Sequence, residues 1–113
     1  MLHIDMIRIR ETDSFSKFLG GLRDVQARAR IAARVQRLAH GNPGDVRPVG
    51  AGVSELRIDC GPGYRVYFVQ RGSLLIVLLC GGDKRTQDCD IKLAKALLDD
   101  LEDGDDANQD APV

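Results

Sequence analysis

Three cations and one tyrosine in neighbouring segments of the sequence could bind and activate a phosphate. Arg57 and Arg65 fall on adjacent predicted strands, Lys84 follows the next strand, and Tyr67 shares the face of Arg65. Arginine presents rigid, forked donors to phosphate oxygens and keeps its charge at any relevant pH. Two or three cations around one phosphate could stabilise the extra charge of a pentavalent transition state.

This chemistry suits RNA, which carries its own nucleophile, the 2′-OH, beside each phosphate. A protein that aligns this oxygen and neutralises the phosphate can cleave RNA without a metal. Lys84 or Tyr67 could assist proton transfer, but either would need a large pKa shift to act as a base near pH 7. Tyr67 is also the aromatic side chain best placed to stack on a base. Alternatively, the cations are solvated or pair with Glu55 and Asp83.

Alternation of polar and apolar residues predicts three strands that position this cluster. They fall within residues 52–58, 61–68 and 74–80. In the first two, apolar residues alternate with polar ones that include Arg57 and Arg65, which predicts one apolar face and one open face that presents the arginines. The third strand is apolar throughout, which is typical of a central strand buried on both faces.

The residues before these strands predict one strand and two helices. Residues 6–10 alternate as a first strand, and Asp13 or Ser14 offers an N-cap for a short helix. Asp24 caps a longer helix over residues 25–39, which ends at a run of Gly, Asn and Pro.

The remaining residues complete the predicted order β-α-α-β-β-β-α. Residues 45–51 form a connecting loop before the three strands, and a third, peripheral helix begins at Asp88. The fold class is therefore α+β, with two helices packed on a curved, mostly antiparallel sheet. We expect one domain over residues 1–103 and a disordered acidic tail over residues 104–113.

Charge separates a basic body from this acidic tail. Residues 1–98 hold all 16 Lys and Arg against 10 Asp and Glu, whereas residues 99–113 hold seven acidic residues and no basic one. A basic body favours an anionic partner, although a solvated basic surface is an equally simple interpretation. The tail could be a plain disordered segment, or it could fold over the basic face as a mimic of RNA. The predicted RNA- or ribosome-binding residues are Arg30, Arg34, Arg37 and Arg85.

No motif indicates a metal or a cofactor, and we expect neither. His3 and His40 lie far apart, and Cys60, Cys80 and Cys89 lack the spacing of a zinc site; Cys80 is predicted to be buried. The sequence also lacks a signal-peptide pattern and a run of ~20 apolar residues. We therefore expect a cytoplasmic protein that does not bind a membrane.

Four segments of the sequence resemble a known family. They are residues 41–45 (GNPGD), 52–57 (GVSELR), 61–68 (GPGYRVYF) and 79–87 (LCGGDKRTQ). In order and spacing they resemble the addiction-module killer proteins, the phage Gp49-like and HigB-like toxins of the RelE/ParE superfamily. The resemblance runs from about Ile7 to Leu98 and excludes the tail. It implies a RelE/ParE-like fold, which agrees with the predicted order of elements.

The resemblance implies the toxin of a type II toxin–antitoxin system. Its expected partners are the ribosome with its mRNA and a cognate antitoxin of the helix-turn-helix type, through which alone it would contact DNA. Related toxins are ribosome-dependent mRNA endonucleases, called mRNA interferases, which inhibit translation and arrest growth. By this resemblance Arg57 and Arg65 hold the scissile phosphate, and Lys84 matches a basic position after the last strand. Many members carry a catalytic Tyr or His near the C-terminus, which this chain lacks after Tyr67.

Two alternatives stay open. A non-enzymatic ParE-like toxin would inhibit DNA gyrase by protein–protein contact, through its helical hairpin and C-terminal segment. A chain that has lost its toxicity would act as an antitoxin-binding co-repressor, which the missing C-terminal Tyr or His favours.

Overall fold

A computed structural model of the chain describes the backbone of residues 7–108 and the side chains of residues 7–102. Within these residues the chain is an α+β domain with a mostly antiparallel sheet, as predicted. The elements are β1 (Arg8–Glu11), α1 (Asp13–Gly21), α2 (Val25–Ala39), β2 (Val46–Gly50), β3 (Val53–Ile58), β4 (Tyr64–Arg71), β5 (Leu75–Asp83) and α3 (Gln87–Asn108). A 3₁₀ turn, Lys84–Thr86, joins β5 to α3. No helix of the described chain is both long and apolar enough to cross a membrane.

The five described strands lie in the order β1-β5-β4-β3-β2. β1 runs parallel to β5, and the other neighbours are antiparallel. The prediction that the last strand is buried on both faces is confirmed. Ile76 and Leu78 of β5 pack in one apolar cluster, while Val77 and Leu79 pack in the other.

Helices cover both faces of the sheet. α1 and α2 bury Phe15, Ile31 and Leu38 against one face, and α3 buries Ala94 and Leu98 against the other. Because side chains alternate along a strand, these two clusters lie on opposite sides of the sheet. The prediction that α3 is peripheral and leaves the second face open is therefore wrong.

Two side-chain caps fix the starts of α1 and α2. The Asp24 carboxylate caps α2, as predicted, and accepts from two backbone amides at 3.0 and 3.1 Å. α1 is capped by Thr12, not by Asp13 or Ser14. Thr12 Oγ1 accepts from the Phe15 amide at 3.1 Å and donates to a β5 carbonyl at 2.5 Å. The cap thereby also ties the start of α1 to the sheet.

One strand was missing from the predicted order. The segment 45–51, predicted as a loop, contains β2, which pairs with β3. Pro48 and a shift of register after it interrupt the pairing, so the segment lacks the regular alternation that identifies a strand. At the N-terminus β1 begins at Arg8 rather than at Met6, which lies outside the described residues.

A β-bulge in the middle of β5 changes the face that its residues occupy. Tyr67 of β4 pairs with Cys80, but Phe68 pairs with Leu78, so Leu79 is an extra residue in the ladder. Leu79 and Cys80 consequently both pack in the cluster beneath α3. The bulge therefore determines which face of the sheet each of the last residues of β5 occupies before the chain enters the 3₁₀ turn.

The acidic end of α3 lies at the far end of β4 from the predicted cationic cluster. α3 continues to Asn108, beyond position 104, where the predicted tail begins. The Glu102 carboxylate lies 3.8 Å from the Arg71 guanidinium at the end of β4. A rise of about 1.5 Å per residue carries Glu102 about 22 Å from the first residue of the helix. The disorder of the tail and its mimicry of RNA stay predictions, because residues 109–113 lie outside the described part.

The end of β5 has no room for a side chain at Gly82. A Cβ there would overlap the Asp90 carboxylate and lie 2.7 Å from Thr86 Oγ1. We predict that Gly82→Ala lowers the free energy of unfolding by about 1–3 kcal/mol, as overpacking usually does.

Gly20→Ala is the matched control for this substitution, measured by urea denaturation. A Cβ at Gly20 in α1 meets no atom within 4 Å, so this variant should be as stable as the wild type or up to about 1 kcal/mol more stable. Wild-type stability of Gly82→Ala would contradict the packing described for this strand end.

Candidate functional site

Two arginines form a directly opposed pair on neighbouring strands. Arg57 of β3 and Arg65 of β4 are register partners, and Gly82 of β5 lies in the same row. The Cβ atoms of such partners lie about 5 Å apart, and like charges at this distance repel each other. The pair therefore requires an anionic group close by.

Glu55 supplies that negative charge from inside the protein. Its side chain is completely buried. Its Oε1 lies 3.5 Å from Arg65 Nη1 and 4.0 Å from Arg57 Nε. Its Oε2 accepts from the Tyr67 hydroxyl at 3.0 Å and from Gln87 Nε2 at 2.8 Å. A buried carboxylate is costly without partners, and these contacts satisfy both of its oxygens.

One open cleft at the end of the sheet brings together the three predicted cations. Its volume is about 280 Å³. Its lining residues are Asp45, Arg57, Ile58, Asp59, Gly63, Tyr64, Arg65 and Lys84. Three cations face Asp45 and Asp59 there, and the buried Glu55 contacts both arginines, so the charges balance. An anion would consequently be held mainly by directed N–H donors at short range rather than by a strong field.

Arg65 differs from the other cations of the cleft because it is nearly buried. It is 7% exposed, and its Nε has no hydrogen-bond partner among the described residues. The contact of its Nη1 with Glu55, at 3.5 Å, is long for a hydrogen bond. The Nε atom is shielded from solvent, as is the Nε of Arg34, which also lacks a partner in the described part of the chain, so an anion in the cleft would meet only the part of the Arg65 side chain that lines it. A guanidinium at such a position suits an anionic ligand rich in oxygen, such as a phosphate.

Tyr67 lies in the interior beneath α3 rather than on an open face. It is completely buried, so the prediction that it could stack on a base is wrong. Burial raises the pKa of its hydroxyl, and the hydrogen bond to Glu55 raises it further. A phenol that holds its proton this firmly is a poor base near pH 7. Any part that Tyr67 takes in catalysis must act through Glu55, to which its hydroxyl donates.

Arg30 and Arg34, two arginines of α2, hold the backbone that forms the walls of the cleft. Arg34 Nη1 donates to the Arg57 carbonyl at 2.6 Å, and Arg34 Nη2 donates to the Pro43 carbonyl at 2.9 Å. Arg30 Nη1 donates to the Asp59 carbonyl at 3.1 Å. These two arginines therefore hold the backbone at the end of β3 and in the loop before β2. Their contact with RNA or the ribosome stays a prediction.

Arg37 and Arg85, the other two predicted RNA-binding residues, are exposed. Arg85 Nη2 lies 3.1 Å from the Asp83 carboxylate, which also accepts from the Arg85 amide at 2.8 Å and so caps the 3₁₀ turn. This side-chain hydrogen bond from Arg85 lowers the pKa of Asp83. Arg37 lies outside the cleft and contributes, after burial, to the lowered pKa of Arg34.

The described cysteines are free thiols. Cys80 is buried, as predicted, and donates to the Asp90 carbonyl at 3.4 Å. Burial raises the pKa of the Cys80 thiol to about 12, so it behaves as a small core residue. Across the described residues, no group of three or more His, Cys, Asp or Glu side chains is placed to hold a metal ion.

The expectation that the cations pair with Glu55 is confirmed for Arg57 and Arg65, whereas Asp83 pairs with Arg85. The burial of Glu55 beneath α3 and its hydrogen bond from Gln87 were not predicted. Tyr64 packs against the first apolar cluster and also lines the cleft, and its ring centroid lies 6.4 Å from that of Phe18. The turn containing Gly63 fixes the pairing of the strands, and this register is the signal that could have placed Glu55 opposite a tyrosine and next to the arginine pair.

Comparison with known proteins identifies the family. The model of the family described as phage-derived protein Gp49-like matches residues 17–102. The chain belongs to this Gp49-like family. The family is associated with toxin–antitoxin systems. An uncharacterized protein of Haemophilus influenzae is 50% identical over 95 residues, which cover 84% of this chain and 96% of that protein.

This finding confirms the Gp49-like part of the predicted resemblance. The HigB-like assignment and the RelE/ParE superfamily stay predictions. The matched range includes Glu55, Arg57, Arg65 and Lys84, so the whole cationic cleft lies in the Gp49-like part of the chain.

The contacts of Arg34 predict that it is more important for stability than Arg37, the next arginine of α2. Arg34→Ala should lower the free energy of unfolding by about 1–3 kcal/mol, because two backbone carbonyls lose charged donors. Arg37→Ala removes the same charge from an exposed position of α2 and should change stability by less than about 0.5 kcal/mol. Urea denaturation compares the two variants, and equal losses would argue against the role of Arg34 in holding this backbone.

The raised pKa of Tyr67 predicts loss of stability in alkali. In the folded protein Tyr67 keeps its proton above its usual pKa of about 10, so the folded state binds more protons than the unfolded state. The contribution to stability is complete below pH ~10 and falls as the pH rises further. In a Tyr64→Phe variant, tyrosinate absorbance at alkaline pH should therefore appear together with unfolding. Titration of Tyr67 in a protein that keeps its native circular dichroism would contradict this.

Proposed function

We propose that this chain is the toxin of a type II toxin–antitoxin system and that its cleft cleaves mRNA on the ribosome. The observation that carries the proposal is that the nearly buried Arg65 lines one cleft together with Arg57 and Lys84. Membership of a family associated with toxin–antitoxin systems supports the assignment as a toxin.

In the proposed reaction the 2′-OH of the substrate attacks the adjacent phosphorus. The bond from phosphorus to the 5′ oxygen breaks, and the products are a 2′,3′-cyclic phosphate and a 5′-OH. Arg57 and Arg65 bind the non-bridging oxygens and stabilise the added negative charge of the pentavalent transition state. Lys84, as an ammonium ion, gives a proton to the leaving 5′ oxygen, and the proton of the 2′-OH passes to water.

The charge of the cleft favours delivery of the RNA by a larger partner. With its three cations balanced by Asp45, Asp59 and Glu55, the cleft itself attracts a polyanion only weakly. The exposed Arg37 and Arg85 would add contacts to RNA or to the ribosome outside the cleft. A cognate antitoxin would neutralise the toxin in the cytoplasm, where the ribosomes are.

The test is mRNA integrity in a purified translation reaction, with and without ribosomes. Wild-type protein should cut mRNA only when ribosomes are present. Arg65→Ala should cut at least about 100-fold more slowly, the usual effect of removing one donor that stabilises a transition state. Arg23→Ala removes the same charge from the exposed turn between α1 and α2, and it should cut like the wild type.

Each other outcome identifies an alternative. Intact mRNA together with growth arrest and DNA damage in cells would contradict the proposal and would indicate a toxin that inhibits DNA gyrase. Intact mRNA without growth arrest would indicate an antitoxin-binding co-repressor. A folded Arg65→Ala protein that still cuts at the wild-type rate would remove the cleft from the mechanism.

A further inference from the structure

The two oxygens of the Glu55 carboxylate have different kinds of partner. Oε2 accepts from two neutral donors, the Tyr67 hydroxyl at 3.0 Å and Gln87 Nε2 at 2.8 Å. Oε1 faces two charged donors, Arg65 Nη1 at 3.5 Å and Arg57 Nε at 4.0 Å. The neutral hydrogen bonds are short and the charged contacts are long. The orientation of the carboxylate is therefore fixed from the Oε2 side, while Oε1 stays within reach of both arginines.

The partners of Glu55 come from the elements that build the cleft. Tyr67 lies on β4 with Arg65, and Gln87 is the first residue of α3. Gln87 directly follows the 3₁₀ turn that carries Lys84. One carboxylate thus joins the strand pair that bears the arginines to the helix start beside the lysine.

Stability alone does not explain this arrangement. Replacing a buried ion pair by apolar residues of similar volume is often neutral or stabilising, so a buried carboxylate and guanidinium need another reason. The 3.5 Å contact restrains one end of the Arg65 guanidinium, while its Nε stays without a partner among the described side chains. Such an arrangement restricts where the guanidinium can point, while Arg65 still lines the cleft.

We propose that Glu55 is a positioning residue that aims Arg65 at the scissile phosphate, and that Gln87 holds Glu55 in place. Glu55 is completely buried, so it acts on the substrate through the arginines, and Arg65 at 3.5 Å is the nearer of the two. The proposal rests on the proposed function, because it adds two residues to the same site. Restricting the guanidinium before the reaction removes a reorganisation cost in the transition state, so loss of Glu55 reduces kcat more than substrate binding.

The first test is Glu55→Gln in the ribosome-dependent cleavage assay. The amide keeps the volume of the side chain and an acceptor for Tyr67 and Gln87, but it removes the charge that faces Arg65. We expect kcat to fall about 30- to 100-fold while KM changes less than about 3-fold. Glu102→Gln removes an equal charge at the far end of α3, and it should retain the wild-type kcat. Wild-type kcat in folded Glu55→Gln would overturn the proposal.

A double-mutant cycle separates positioning from general loss of structure. In an Arg65→Lys background, where the guanidinium is absent, Glu55→Gln should lower the remaining rate by less than about 3-fold. A structural role would lower it as much as in the wild-type background. If Glu55→Gln does not fold, Gln87→Met takes its place, since it removes one neutral donor from a half-buried position and should lower kcat about 5-fold. A folded Gln87→Met protein with the wild-type rate would then refute the proposal that Gln87 holds Glu55 and that Glu55 positions Arg65.

A readout without catalysis distinguishes failure of this inference from failure of the proposed function. In ¹H–¹⁵N spectra, the Arg65 Nε–H signal should be sharp in the wild type and broadened in Glu55→Gln. Addition of a 2′-O-methyl RNA oligonucleotide, which cannot supply the nucleophile, should shift this signal in the wild type. If the wild type does not cleave mRNA, the proposed function fails. The comparison of the Arg65 Nε–H signal between the wild type and Glu55→Gln then tests by itself whether Glu55 positions Arg65. Identical Arg65 signals in the two proteins would overturn the role of Glu55 even in an active enzyme.

Discussion

A completely buried carboxylate allows two arginines to face each other across adjacent strands. Without Glu55, the Arg57–Arg65 pair would place like charges in direct register beside a covered face of the sheet, where water screens them poorly. The carboxylate is itself costly in that environment, and it is tolerated because a tyrosine hydroxyl and a glutamine amide complete its hydrogen bonds. The cationic cleft therefore depends on a group that the solvent does not reach.

Coverage of both sheet faces leaves the strand ends as the place for a site. α1 and α2 cover one face and α3 covers the other, so the arginines reach solvent only where β3 ends and β4 begins. Arg34 holds the backbone at this end, and the 3₁₀ turn brings Lys84 to it. A compact cluster of three donors results even though they come from β3, β4 and the 3₁₀ turn.

The sequence predicted the bounds of α2 and the grouping of the three cations, but it did not predict the cap of α1, the strand β2 or the coverage of the second sheet face. The bounds of α2 were correct because Asp24 and the Gly-Asn-Pro run mark both ends of the helix. β2 was missed because Pro48 and a shift of register break its alternation. The grouping of Arg57, Arg65 and Lys84 could be predicted from strand pairing, since a tight turn fixes the register. The burial of Glu55 and Tyr67 could not, because alternation shows which residues share a face but not whether a helix covers that face.

The extra residue at Leu79 buries one more side chain beneath α3 without altering how β5 pairs with β4. Phe68 pairs with Leu78 and Tyr67 pairs with Cys80, so the pairs on both sides of the bulge are those of a regular ladder that lacks Leu79. Loss of this one residue would therefore keep Gly82 opposite Arg65 and leave the start of the 3₁₀ turn where it is. A one-codon deletion at the bulge would remove a buried side chain and spare the cationic cleft, whereas a slip of one residue between β4 and β5 would send every side chain of β5 to the other face of the sheet.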